Sequence, residues 1–281
     1  MKKTGTVIAS LLLLLLLSAA PARTQYILGN LPLTTAGCTT VGQAVQYNPA
    51  TKSWECVSKY GGMYFYTSSA GAPTAQVINI TQQYHGVYLT ATGGSLSGWT
   101  LKAGTSGTID AVADNGGVVV GTILITTAAA HNLAVGDYVV QNGFTTRTTY
   151  RGKYRVLTTP LATTYTVTRA FEVATDTGWF QRSWSMTAGA GSAGLYRVTF
   201  SMSAEADSNT TDFRWEVNKN GTDLDNIAAQ NFYSTSARAQ STAATGIVSI
   251  ADGDVLYMSV KNLTDGADWK IWLANLVATR M

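Results

Sequence analysis

The sequence predicts an all-β, antiparallel protein, on three observations. Short runs of Val, Ile, Thr, Tyr, Phe and Trp alternate with polar residues at period two, and Gly, Asn-Gly and Asp-Gly signals punctuate them. After the amino-terminal segment no helical periodicity runs longer than about two turns. The 281 residues include 27 glycines and only 12% charged residues, a composition that suits pleated surfaces and turns.

Residues 1–22 read as a secretory signal peptide. Lys2 and Lys3 form a basic start, Val7 to Ala20 is an apolar run built on Leu11 to Leu17, and Ala20 and Ala22 supply an A-x-A cleavage pattern. The run is short for a spanning helix, which needs ~20 residues; an uncleaved anchor is the alternative. No other segment reads as transmembrane, so the mature chain is expected outside the cytoplasm: periplasmic, on the cell surface, extracellular, or on a virion surface. Without Lys2 and Lys3 the balance is 17 basic against 16 acidic residues. That balance lacks the basic patch that nucleic acid or an anionic membrane requires.

Residues 23–59 form a lead-in and a small hairpin unit. Gln43 to Tyr47 and Ser53 to Val57 are expected strands around the turn sequence Asn48-Pro49-Ala50-Thr51-Lys52. The pattern Gly42-Gln43, Tyr47-Asn48, Thr51, Trp54 resembles a hairpin module of phage structural and bacterial surface proteins. Cys38 and Cys56 are the only cysteines. In an exported chain they are expected to pair, closing a loop of about 18 residues worth ~3 kcal/mol in the chain-entropy model. The alternative is two free or intermolecular thiols. Too few sulfur and imidazole ligands accompany them for tetrahedral zinc.

From residue 60 the larger domain begins, with short strands at Met63 to Tyr66, Val77 to Ile80, Gly86 to Leu89 and Gly98 to Gly104. The texture changes over residues 118–173, where His131-x-Leu133-x-x-Gly136-Asp137-x-Val139, Tyr150-x-Gly152-x-Tyr154-x-Val156 and Thr164-Tyr165-x-Val167 follow one another. These resemble a small β module of tailed-phage virion proteins. The departure is Asn132, where that module carries glycine; asparagine tolerates the same left-handed backbone. Strand material on both sides marks residues 118–173 as an insertion.

The closing stretch carries the main resemblance. It holds a Gly-x-Tyr-x-Val-x-Phe strand at residues 194–200, an Asn-Gly-Thr turn at 220–222 and Gly253-Asp254 before an alternating strand. An apolar strand, Trp269 to Ala278, ends it. In that order these resemble the jelly roll of the complement globular head and tumour necrosis factor. The fold class expected is therefore an antiparallel jelly-roll sandwich over 60–281, interrupted by the inserted small β domain and preceded by the hairpin unit. The resemblance implies a homotrimer packed around its axis and a scaffolding or binding role. Phe213, Trp215, Tyr257, Trp269 and Trp272 are candidate interface aromatics, although most are expected in the core.

Catalysis finds little support. His85 and His131 are the only histidines, and neither accompanies a nucleophile motif such as Gly-x-Ser-x-Gly. Glu205, Asp207 and Asp212, or Asp252 and Asp254, offer oxygen ligands for calcium, but their spacing matches no loop signature and Asp-Gly-Asp is a turn. No catalytic residue, metal or cofactor is expected. Two non-enzymatic readings remain. One is a virion component such as a tail fibre, spike or decoration protein; the other is an exported bacterial adhesin or filament subunit. Either would engage itself and a cell-surface glycan or protein receptor through loop tips such as Ala204 to Asp212 and Asn231 to Thr242. Alkylation of the unfolded, unreduced mature chain tests the cysteine pairing: no labelled thiol is the expected outcome, and two labelled thiols refute it.

Overall fold

A computed structural model describes residues 43–48, 53–58, 60–66, 74–76, 84–87, 98–116, 121–172, 176–206, 211–234, 238–264 and 269–281. The chain divides into two units, Met1–Val57 and Ser58–Met281. In the first, β1 (Gln43–Asn48) and β2 (Ser53–Ser58) form a two-stranded sheet. The expected signal peptide and Cys38 lie outside the described residues, as does the side chain of Cys56.

The larger unit begins with β3 (Tyr60–Tyr66), β4 (Thr74–Gln76), β5 (Tyr84–Gly86) and β6 (Trp99–Lys102). Six further strands then close into a barrel: β7 (Thr105–Asp114), β8 (Thr122–Thr127), β9 (Tyr138–Asn142), β10 (Gly152–Leu161), β11 (Thr164–Thr168) and β12 (Gly178–Arg182). The order round the barrel is β10-β11-β8-β7-β12-β9, and every pairing is antiparallel. The chain continues through β13 (Ser185–Ala188), β14 (Gly194–Ala206), β15 (Thr211–Lys219), β16 (Thr222–Tyr233), β17 (Gln240–Ile250), β18 (Val255–Asn262) and β19 (Trp269–Arg280). Among the described residues the one helical piece is a 3₁₀ turn at Thr148–Tyr150.

Outside the barrel the strands form two antiparallel sheets. One runs β16-β15-β18-β13-β6, with β5 also on β18; the other runs β17-β14-β19-β3, with β4 also on β19. From β13 onward, successive strands alternate between the two sheets except at the β15–β16 hairpin. This is the strand order of a jelly roll, as expected. The hairpin turns at Asn220 (φ 52°) and Gly221 (φ 86°), two successive left-handed residues that match the twist of the flanking strands. Asn132 also takes the left-handed conformation (φ 55°) expected of it.

Period-two patterning builds the sandwich core. Tyr196, Val198, Phe200 and Met202 of β14 face inward, as do Phe213, Trp215 and Val217 of β15, Leu256, Met258 and Val260 of β18, and Ala274, Leu276 and Ala278 of β19. A separate core fills the barrel, around Ile123, Ile125, Tyr150, Tyr165, Val167 and Phe180. A closed six-stranded sheet has room inside only for side chains, so the barrel is packed solid.

The barrel hangs from one point of the sandwich. β6 and β13 pair with each other, Lys102 opposite Ser185, so the chain leaves the sheet and returns to it at neighbouring strands. The expected insertion bounds, 118–173, enclose β8 to β11. The two strands that complete the barrel, β7 and β12, come from outside those bounds. A period-two pattern does not say which sheet a strand will join, and β7 follows β6 after two residues. The expected loop tips are also narrower: residues 204–206 end β14, while 231–233 and 240–242 lie in β16 and β17.

Phe180 on β12 plugs the barrel, and a Cβ on Gly107 opposite would come within 2.7 Å of its ring. Phe180→Ala is expected to cost about 3–5 kcal/mol in urea unfolding, and Gly107→Ala about 1–3 kcal/mol by overpacking.

Candidate functional site

Two features of the larger unit combine chemistry with access. The first is the seam where the barrel covers the outer face of the β16-β15-β18-β13-β6 sheet. On β15, Phe213, Trp215 and Val217 point to the sandwich core, so Glu216 and Asn218 must point the other way. Neither reaches water: both are 0% exposed, and so is Ser259 on β18. The barrel covers them. Lys153 on β10 reaches across, and its Nζ donates to Asn218 Oδ1 (2.8 Å), to Glu216 Oε1 (3.2 Å) and to the Asp223 carboxylate. Asn218 Nδ2 donates in turn to Ser259 Oγ (2.8 Å).

A second charged cluster ties the barrel's entry and exit together. Asp137 accepts from Arg182 (2.6 Å), from the Ala134 N–H (2.9 Å) and from Lys102. Arg182 also donates to the carbonyls of Asn132 (2.9 Å) and Ala103 (2.6 Å). Between the clusters Tyr138 of β9 stacks on Tyr257 of β18, ring centroids 6.0 Å apart and 24° from parallel.

Burial drives the electrostatics. Desolvation pushes the Glu216 carboxyl above its ordinary value, its contact with Asp223 adds to this, and Lys153 opposes. Desolvation likewise pushes the Tyr257 phenol up, with the Asp223 charge adding to it. At the surface the opposite holds: the N–H groups of Gly191 and Ala193 hold the Asp252 carboxyl below the usual range.

The seam opens into a cleft of about 480 Å³ (within the usual range for small-molecule sites). The barrel's Val135–Tyr138 stretch and Arg155 form one wall; β13 and the turn at residues 252–255 form the other. Most lining side chains are polar, and both signs of charge are present.

The second feature is the outer face of the β17-β14-β19-β3 sheet. Cross-strand register places Ile247 beside Arg197 and Thr279, Thr245 beside Thr199 and Val277, and Ser241 beside Ser203 and Leu273. Leu195, Ile247, Leu273 and Val277 are exposed, Ile247 by 54%. Across β3, β17, Leu195–Ser203 and Leu273–Thr279 the one charged residue is Arg197. Tyr64 and Tyr66 of β3 stand opposite Asn275 and Leu273 in register.

The five candidate interface aromatics do not share one surface. Phe213 and Trp215 are fully buried in the sandwich core. Tyr257 is buried in the seam, where it lines the cleft. Trp272 is half-buried, and its Nε1 donates to Glu205 Oε2 (3.0 Å). It sits in a bulge, because Leu273 pairs with Ser203 while Ile271 pairs with Ala204. Trp269 lies at the start of β19, and its side chain is outside the described residues.

His131 is a structural group. Its Nδ1 accepts from the Leu133 N–H (2.9 Å), which leaves Nε2–H to donate to the Thr164 carbonyl (3.0 Å). The side chain of His85, like Asp207, lies outside the described residues. Among the described residues no three His, Cys, Asp or Glu side chains converge as a metal site would require, and no helix is long and apolar enough to cross a membrane. Lys153, Glu216, Asp137, Arg182 and Arg155 escaped the sequence reading. Polar residues alternating with aromatics read as a solvent face, and nothing local signals that a barrel will cover it.

The larger unit is thus a jelly-roll sandwich that carries a closed barrel on one outer face. No protein-family model matches the chain, and no curated protein does. Among solved structures it is similar to the Eiger tumour necrosis factor of S. frugiperda, at 12% identity and TM-score 0.28 over 63% of this chain and 93% of that one. It is also similar to the insecticidal delta-endotoxin Cry8Ea1 of Bacillus thuringiensis, at 10% identity and TM-score 0.24 over 79% and 53%. A third is dimeric latent PorU of Porphyromonas gingivalis, at 8% and 0.23 over 63% and 24%. At such scores the fold rests on the strand order itself.

Lys153→Met leaves Asp223 without its cation and Glu216 with Arg214 alone (Nε to Oε2, 3.3 Å), and is expected to destabilise by about 3–5 kcal/mol at pH 7. Because the folded Glu216 pKa is raised, its protonated form is favoured in the native state. Its contribution is full below the ordinary glutamate pKa and falls as pH rises through the folded value. Urea unfolding should therefore show the defect shrinking on acidification toward pH 4, the ordinary glutamate range (~4.3).

Proposed function

We propose that this chain is a non-catalytic binding and structural protein that assembles as a homotrimer through the outer face of its β17-β14-β19-β3 sheet. The observation that carries the assembly is that face: exposed aliphatic residues among Thr, Ser, Ala and Asn, with Arg197 the one charge in the stretch. Depletion of charge is what marks the centre of an interface, and a sheet face of this extent exceeds the scattered apolar residues normal on a surface. The jelly-roll strand order fits the trimeric heads that the sequence resembles.

The role proposed is that of a phage-type virion component: a tail fibre, spike or decoration protein that meets a receptor or glycan on a cell surface. The hairpin, which resembles a module of phage structural and bacterial surface proteins, and the stretch around β8 to β11, which resembles a module of tailed-phage virion proteins, support it. The alternative is an exported bacterial surface adhesin or filament subunit with the same head, which the signal-like amino terminus favours. Mass spectrometry of purified virions against the exported fraction separates the two.

Sedimentation velocity at micromolar concentration tests the assembly. Three chains are expected for the natural protein, and dissociation to single chains for Leu273→Asp with Val277→Asp. A wild-type species of one chain's mass would refute it.

A further inference from the structure

The cleft at the seam holds polar groups that the fold itself leaves unused. Tyr257 is only 2% exposed, yet its hydroxyl has no hydrogen-bond partner among the described residues. Buried phenols normally find one. Ser185, buried on β13 two residues from the half-exposed Thr187, likewise keeps a hydroxyl without a partner. Across from them the exposed Arg155 guanidinium lies beside Gly136, close enough that a Cβ there would sit 3.7 Å from Nη2. It forms no ion pair or side-chain hydrogen bond among the described residues. These are three kinds of donor around one space.

Acceptors face them. Each Asp252 carboxylate oxygen takes one backbone N–H, from Gly191 and from Ala193. The two Asp254 oxygens take the Asn220 amide and the Ala251 N–H, and the Lys219 ammonium lies 3.6 Å from one of them. A carboxylate has about four acceptor positions, so each can still receive hydroxyl protons. Lys102 and Arg155 share the lining with Asp137, Asp252 and Asp254, and Arg182 and Lys219 pair with Asp137 and Asp254 from beside it, so the charges nearly cancel. A phosphate or carboxylate ligand would meet three fixed carboxylates, and an amine would meet two cations. An uncharged molecule dense in hydroxyls, each both donor and acceptor, satisfies the set. Val135, 63% exposed at the rim, and the half-buried ring of Tyr138 add a small apolar surface for C–H groups.

We propose that this cleft is a binding site for an uncharged sugar, with Arg155, Ser185, Tyr257 and the Asp252–Asp254 turn as its hydrogen-bonding groups. The proposal rests on reading the chain as a binding head, but not on its oligomeric state, which sedimentation reads separately. Because both walls are needed, the barrel's function is to complete a site that the sandwich alone would leave as an open surface.

The test is ligand-observed NMR on the full mature protein with the methyl glycosides of D-glucose, D-galactose and D-mannose, and methyl β-D-glucuronide as the charged comparison. At least one neutral glycoside is expected to bind with Kd of about 1–10 mM. Tyr257→Phe keeps the ring against Tyr138 and removes only the hydroxyl; it is expected to weaken binding about tenfold. Arg155→Ala removes an exposed side chain that the fold does not use, and is expected to weaken it by a similar factor with unchanged unfolding. Absence of binding by all three at about 20 mM overturns the proposal. So does equal binding by both variants, or tighter binding of the glucuronide than of the neutral glycosides.

Discussion

One lysine holds the architecture together. Two carboxylates and an amide lie on the outer face of a sheet, where an ordinary sandwich would leave them in water. Covering them removes their hydration, which is tolerable only if a cation arrives with the cover. Lys153 is that cation; it comes from the barrel and joins Arg214 of β15, whose Nε lies 3.3 Å from Glu216 Oε2. Burial of Glu216 and docking of the barrel are therefore one event. Asp137 repeats the logic at the barrel's root, where Lys102 from β6 and Arg182 from β12 converge on it. Chain connection and charge pairing thus constrain the same joint.

That joint has a consequence for binding. A polar interface between two well-packed cores cannot collapse as an apolar one does, because its groups need partners at set distances. Where the geometry leaves a partner missing, a cleft remains with donors and acceptors already in place. Tyr257 is an example: its ring is satisfied by Tyr138, but no described residue satisfies its hydroxyl. The opposite sheet solves a different problem. Its outer face has small polar and aliphatic residues with almost no charge, so it can meet another protein surface without stranding ions. The proposed binding and assembly sites thus lie on the two outer faces of one sandwich.

Much of the fold was legible along the chain. Alternation at 194–201 and 255–260, the Asn220-Gly221 turn and the left-handed Asn132 are local facts, set by side-chain period and backbone sterics. The jelly roll followed from their order. Other features were hidden. Trp272 sits in a bulge, and one extra residue shifts every face that counting would assign. The barrel's closing strands β7 and β12 look like sandwich strands, because hydrogen-bond partnership between distant strands leaves no mark on either alone. The same limit placed Phe213 and Trp215 in a list of interface candidates, although a sandwich core claims them.

Sequence alone determined the class of the protein: all-β, turn-punctuated, jelly-roll ordered, with an inserted β module. Those properties depend on neighbours within a few residues, where period and turn chemistry act. Tertiary structure alone decided what the polar residues are for. Glu216, Lys153 and Tyr257 are separated by tens of residues, and the first two read as ordinary surface. Only when the barrel closes and docks on the sheet do they lose water, and desolvation turns a scatter of polar side chains into a lock and a cleft.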